Sequence, residues 1–89
     1  MILTRSPQFK KDYALAQKQW DIAKLDDIIL RLANGEDLSR EYKIYPLGEG
    51  FLKDYWILYI QRGWGLIYKK DIANDELLLA RTGDPGKIS

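Results

Sequence analysis

The chain has 89 residues with no cysteine and no histidine, and fourteen basic against thirteen acidic residues give a formal net charge of +1. With 46% hydrophobic residues it should fold around one core, as a single domain over residues 1–89 with no room for a second. The missing residue types exclude a disulfide framework and the commonest metal sites. The net charge does not indicate a general attraction to nucleic acid, which local clusters of basic residues would have to supply.

The first third of the chain predicts a short strand followed by a helical hairpin. Residues 2–3 form the strand, which ends where the Ser6 hydroxyl can cap a helix and Pro7 can fill its first turn. Apolar residues then recur with helical spacing. Asp21 can cap a second helix, and Asn34-Gly35 supplies the turn that ends it.

The rest of the chain predicts a loop and three strands. Residues 36–50 are rich in polar and turn-forming residues. Aromatic and β-branched residues then indicate strands over 51–60, 64–70 and 76–82. In the first of these strands, successive side chains should point to opposite faces of the sheet. One face would meet the helices with Trp56, Leu58 and Ile60, and the other would carry an exposed outer row of Tyr55, Ile57 and Tyr59. The elements predict an α+β fold, with an N-terminal strand and a helical hairpin packed on an antiparallel sheet.

Several short strings, spread in order over nearly the whole chain, resemble the YafQ branch of the RelE toxin superfamily. They are Phe9-Lys10-Lys11-Asp12, Tyr42-Lys43, Tyr45-Pro46-Leu47, Tyr55, Trp64, Leu66-Ile67-Tyr68 and Arg81-Thr82-Gly83. The resemblance implies a RelE-like fold and the toxin of a type II toxin–antitoxin system, an mRNA interferase that cleaves mRNA on the ribosome and so inhibits translation. It also implies a cognate antitoxin protein as partner, with operator DNA contacted only through the antitoxin complex.

The chain departs from the family pattern at its catalytic positions. Two family histidines are replaced by Tyr45 and Tyr59, and a third is missing where Asp84-Pro85 follows the Arg-Thr-Gly string. Two family aspartates are replaced by Ile57 and Gly63. The alternative is therefore a catalytically inactive relative that keeps the fold to bind an antitoxin in an operator complex, or to bind the ribosome.

The resemblance and the chemistry together indicate three catalytic residues. Cleavage by attack of a 2′-hydroxyl needs proton transfer and cations at the phosphate. Arg81 matches the family's arginine and can bind phosphate through two parallel hydrogen bonds, although it could instead pair with an acid such as Asp84. Tyr45 and Tyr59 can donate a proton or stack on a base, and Tyr59 could equally be an ordinary strand residue.

Basic residues near the strands are candidates for contacts with RNA phosphates. They are Lys53, Arg62 and Lys69, each of which could instead be a solvated residue that keeps an edge strand from pairing. The acidic residues show no spacing typical of a metal site, so we expect neither a metal nor another cofactor. No signal peptide or membrane span is visible, and we expect a cytoplasmic protein with no membrane contact.

Overall fold

A computed structural model describes residues 1–48 and 50–89, except for the side chain of Phe51. Within these residues, three helices, five strands and one short 3₁₀ helix follow one another. Their order is β1 (Ile2–Arg5), α1 (Pro7–Gln19), α2 (Ile22–Ala33), β2 (Lys43–Pro46), the 3₁₀ helix (Gly50–Leu52), β3 (Trp56–Gln61), β4 (Trp64–Asp71), β5 (Glu76–Gly83) and α3 (Pro85–Ile88). The α+β class expected from the sequence is confirmed.

The two long helices begin and end at the residues that the sequence indicates. The Ser6 hydroxyl accepts a hydrogen bond of 2.9 Å from the Phe9 amide, and the Asp21 carboxylate accepts one of 3.2 Å from the Ala23 amide. After α2, Gly35 has a φ of +83°, a backbone conformation that glycine adopts at little cost. None of the helices in the described ranges has the length and apolar character needed to cross a membrane.

The strands form one five-stranded sheet in the order β1-β5-β4-β3-β2. β1 is parallel to β5, and the other neighbours are antiparallel. The prediction of a loop over residues 36–50 is wrong for Lys43–Pro46, which pairs with β3 as an edge strand. Such a short segment shows no periodicity of its own, and Pro46 is tolerated there because it lies on an edge strand. The predicted strand over 51–60 begins only at Trp56.

One face of the sheet packs against α1 and α2 and forms the main core. Trp20 stacks on Trp64 with ring centroids 4.8 Å apart and an interplanar angle of 9°. Leu58 and Ile60 face the helices as predicted and are buried. Trp56 lies on the same face, as predicted, but it is 41% exposed, so the helices do not bury it as they bury Leu58 and Ile60. Trp56 is the first residue of β3 and lines a surface groove together with Ser39.

The opposite face of the sheet carries a second, smaller core, and we call it the α3 face. Ile57 and Ile67 are buried there beneath Ile88 of α3, with Tyr55 and Tyr59 half-buried at the margin. The prediction of an exposed Tyr-Ile-Tyr row is therefore wrong for Ile57, because α3 covers this part of the sheet. A Cβ atom at Gly65 would lie 3.3 Å from both the Ile57 and the Pro85 side chains, so glycine allows the close approach of α3.

Candidate functional site

Two predicted catalytic residues lie at the two ends of one row of paired residues across the sheet. Tyr45 on β2 is opposite Ile57, Ile57 is opposite Ile67, and Ile67 is opposite Arg81 on β5. Directly opposed residues of antiparallel strands point to the same face, so Tyr45, Ile57 and Ile67 share it. The register of β4 and β5 shifts next to Arg81, and the Arg81 side chain lies in a pocket lined by residues of both α1 and α3. Three strand spacings separate the Cα atoms of Tyr45 and Arg81, which is about 14 Å. The row is long enough for a stretch of extended chain to lie along it.

Tyr59, the third predicted catalytic residue, contacts Tyr45 directly. Tyr59 lies one row away on the same face, opposite Lys43 and Gly65. Its ring meets the ring of Tyr45 edge to face, with centroids 5.9 Å apart and 73° between their planes. Tyr45 is 51% exposed, whereas Tyr59 is half-buried. The structure thus brings the two tyrosines together and leaves Tyr45 open to solvent.

Arg81 is ion-paired, but with a different acid from the one the sequence indicates. Its Nε donates to Oδ2 of Asp12 over 3.0 Å, and its Nη2 donates to Oδ1 over 3.2 Å. The expected partner, Asp84, instead caps α3 by accepting a hydrogen bond of 2.9 Å from the Gly86 amide. The side chain of Arg81 is still 35% exposed, so the guanidinium is anchored on one edge and open to solvent on another.

Asp12 is buried in α1 and accepts two further hydrogen bonds. Gln8 donates to Oδ1 over 3.1 Å, and the backbone amide of Thr82 donates to Oδ2 over 3.3 Å. Burial acts to raise the pKa of Asp12, but the hydrogen bonds from Arg81, Gln8 and Thr82 and the nearby guanidinium charge outweigh it and leave the pKa below its usual value. Asp12 is therefore a fixed carboxylate anion at neutral pH.

The predicted RNA-binding residues are spread over the face and its margin. Lys69 lies on the α3 face, with its Nζ 5.8 Å from the centroid of the Tyr55 ring. Lys53 lies in the turn before β3, and Arg62 lies in the turn between β3 and β4, both exposed. Only Lys69 of the three thus shares a sheet face with the two tyrosines.

Sequence reasoning assigned no site role to two residues that the structure adds. Lys43 is exposed and lies opposite Tyr59 on the α3 face, so it adds a cation next to the tyrosine pair. A prediction of β2 would have revealed it. Asp12 contacts Arg81 across 69 positions of sequence, and no local pattern announces such a pairing.

The site therefore offers cations and phenol groups on a sheet face. Within residues 1–48 and 50–89, no three carboxylates lie close enough together to hold a metal ion. Lysine and arginine can neutralise phosphate charge, and the tyrosine hydroxyls can donate hydrogen bonds. This chemistry is suited to a polyanion that also carries flat rings, such as single-stranded nucleic acid.

Comparison with known proteins gives one family match and several similar structures. The family model described as a bacterial toxin of type II toxin–antitoxin systems, YafQ, matches residues 1–88. YafQ from E. coli is 35% identical, with a TM-score of 0.84 over 94% of this chain and 92% of that chain. In the E. coli DinJ–YafQ complex the matching chain has the same identity and coverage and a TM-score of 0.82. A metal-bound toxin from Helicobacter pylori is 27% identical, with a TM-score of 0.85 over 100% of this chain and 99% of that chain. No individually curated protein gives a significant match.

Proposed function

The chain belongs to the YafQ family of bacterial toxins from type II toxin–antitoxin systems, and we propose that it inhibits translation as a ribosome-dependent mRNA endoribonuclease. Its RelE-like α+β fold supports the placement of the site on the sheet. The observation that carries the proposal is the row of paired residues across the sheet that joins the contacting pair Tyr45 and Tyr59 to Arg81, three residues that the family resemblance selects. We also propose that residues 1–89 act as one toxin domain in the cytoplasm.

In this proposal the mRNA strand lies along the α3 face, between Tyr45 and Arg81. The 2′-oxygen forms a bond to the adjacent phosphorus as its proton passes to a water molecule. The bond from phosphorus to the 5′-oxygen breaks, and that oxygen takes up a proton, so the products are a 2′,3′-cyclic phosphate and a 5′-hydroxyl. The guanidinium of Arg81 binds the phosphate oxygens, on which negative charge increases in the transition state. Tyr59 supplies the proton for the leaving oxygen, while the more exposed Tyr45 stacks on a base.

Basic residues around the face complete the proposed contact with RNA. Lys69 and Lys43 lie on the α3 face, and Lys53 and Arg62 lie on the turns at its margin. Each can neutralise a phosphate whatever the base attached to it. These contacts therefore hold the strand in register and leave sequence selection to the ribosome-bound codon.

We further propose a cognate antitoxin as the protein partner. The DinJ–YafQ complex supports this, because the toxin chain in it is 35% identical to the present chain. In the described sheet, β1 and β2 are the two outer strands, and an outer strand can receive a segment of another chain through backbone hydrogen bonds. Contact with operator DNA then occurs only through the antitoxin complex.

A second candidate function is binding without cleavage, either to the antitoxin in an operator complex or to the ribosome. The absence of histidine favours it, and so does the pairing of Arg81 with Asp12, which satisfies part of the guanidinium without any ligand. Expression of the chain without antitoxin, followed by mapping of cellular mRNA 5′ ends, separates the two. New 5′ ends within coding regions are expected, and growth arrest without them would establish the binding-only function.

A further inference from the structure

The pairing of Asp12 with Arg81 has a specific geometry. Asp12 binds the side edge of the guanidinium, formed by Nε and Nη2. A guanidinium has five N–H groups, and two of them are used here. Among the described residues the other three make no hydrogen bond, and they include the two on Nη1. The end of the guanidinium, where Nη1 and Nη2 present parallel N–H groups, is therefore available for a second bidentate acceptor such as a phosphate.

From this geometry we propose that Asp12 is a positioning residue, which holds the guanidinium of Arg81 in the orientation that binds the RNA phosphate. The inference rests on the proposed function and adds to it a residue on a different element, since Asp12 belongs to α1 and the other site residues belong to the sheet and its turns. Asp12 touches no substrate in this arrangement. It acts only through Arg81.

The surroundings of the ion pair support positioning over a purely stabilising role. The carboxylate side is closed, with Asp12 only 6% exposed and fixed by Gln8 and by the Thr82 amide. The guanidinium side is open, with 35% of the Arg81 side chain exposed. A buried ion pair stabilises little compared with apolar packing, so stability alone is a weak reason for this arrangement. A rigid acid behind an accessible arginine instead removes the side-chain motion that phosphate binding would otherwise have to restrict.

The first test measures the orientation of Arg81 without any activity. In ¹⁵N relaxation of arginine Nε–H groups, we expect an order parameter of about 0.85 for Arg81 in the wild type and below about 0.6 in Asp12→Asn. The signal of Arg31, which pairs with Glu41 and Glu36, serves as the internal control and should not change. An Arg81 order parameter that stays high in a folded Asp12→Asn protein would overturn the inference.

The second test measures single-turnover cleavage of mRNA on programmed ribosomes by the full chain. Asp12→Asn should lower the rate at saturating ribosomes by about 10²-fold, because a misplaced group costs this much, with the half-saturating concentration unchanged. Asp12→Glu keeps the charge needed for folding but displaces the carboxylate by one methylene, and should lose at least about tenfold. The matched control is Asp26→Asn, an exposed carboxylate on α2 that accepts a hydrogen bond from Tyr13 and should cleave normally.

The outcomes separate this inference from the proposed function. A wild type that does not cleave overturns the proposed function, and the positioning role with it. A wild type that cleaves, together with folded Asp12→Asn and Asp12→Glu proteins that cleave equally fast, overturns the positioning role alone. Should Asp12→Asn fail to fold, Asp12→Glu decides by the same comparison of rates, with its melting temperature measured alongside.

Discussion

Tyr45 and Tyr59 meet edge to face on neighbouring strands, with their ring centroids 5.9 Å apart. They are not directly opposed, since Tyr45 is opposite Ile57 and Tyr59 is opposite Lys43. The two rings approach each other diagonally, a distance that aromatic side chains can bridge. Tyr45 is the more exposed ring, so a base can stack on it more readily than on the half-buried Tyr59. The contact therefore suggests a different role for each tyrosine.

Substitution of each tyrosine by phenylalanine should separate those roles. Tyr59→Phe removes only the hydroxyl and should lower single-turnover cleavage by about 10² or more if that hydroxyl protonates the leaving oxygen. Tyr45→Phe keeps the stacking ring and should cleave nearly as fast as the wild type. Tyr45→Ala should weaken RNA binding by about 1–3 kcal/mol, the contribution of one stacked base. Equal rates for wild type and Tyr59→Phe would leave stacking as the only role of the pair.

The main core predicts a large loss of stability for Leu32→Ala. Leu32 lies in α2 with no exposed surface, in the cluster that contains Trp20 and Leu58. The truncation should lower the free energy of unfolding by about 2–5 kcal/mol, because it removes buried methyl groups and leaves a cavity. Urea unfolding measures this. Leu30→Ala, at a 60% exposed position of the same helix, is the control and should change the value by no more than about 0.5 kcal/mol.

Local signals in the sequence predicted most of the fold. The caps of α1 and α2 depend on residues within one turn, such as Ser6 and Asp21, and so they are visible in any short window. The edge strand β2 and the four-residue α3 were not predicted, because neither is long enough to show a period. The prediction that Ile57 is exposed was wrong for the same reason, since the residue that covers it, Ile88, belongs to α3.

The candidate site was predictable only as a list of residues. The family resemblance selected Tyr45, Tyr59 and Arg81, and the register of the sheet places the two tyrosines on one face, with Arg81 at the far end of the row that begins at Tyr45. The resemblance could not identify Asp12 as the partner of Arg81. That pairing depends on the packing of α1 against β5. Which of several acids lies within reach of an arginine is decided by their positions in the folded chain, and the linear sequence does not contain those positions.

Below about pH 4, the free energy of unfolding should depend on the ionisation of Asp12. Its pKa in the folded chain lies below the unfolded value of about 3.9, so its contribution is fully present above that pH and is lost as the pH falls through the folded pKa. Wild type should therefore lose stability in acid more steeply than Asp12→Asn, which has no carboxylate to protonate. Urea unfolding between pH 2 and 6 measures the two slopes. Parallel curves would contradict the low pKa.

Above about pH 10, the free energy of unfolding should depend on the ionisation of Tyr68. Burial, with a smaller effect of the nearby Asp37 charge, raises the pKa of Tyr68 to about 12, above an unfolded value of about 10. Above pH 10 the unfolded chain can release this proton while the folded chain retains it, so the free energy of unfolding falls as the pH rises towards 12. Tyr68→Phe should reduce that fall. Denaturant unfolding of both proteins from pH 9 to 11 makes the comparison, and equal slopes would contradict a raised pKa.

The final prediction concerns the pH dependence of cleavage. The chain has no histidine, so no imidazole can titrate near pH 6.5. Among the residues that the structure describes, four carboxyl groups have a shifted pKa, and in every case it is lowered, away from neutrality: Asp12, Asp37, Glu41 and Asp71. Single-turnover cleavage on programmed ribosomes should therefore show no limb near pH 6.5. A rate that rises through that pH would mean that another group accepts the proton.

Arg81→Ala provides the matching test of charge stabilisation. A guanidinium stays protonated at any pH where the protein is folded, so its contribution should be constant across the profile. Its removal should lower the rate by about 10²–10³-fold at every pH, the loss typical of one donor to a developing oxyanion. Arg62→Ala, on the exposed turn between β3 and β4, should weaken RNA binding and leave the saturated rate nearly intact. If Arg81→Ala arrests growth as strongly as the wild type while neither protein cleaves mRNA, the toxin acts by binding alone.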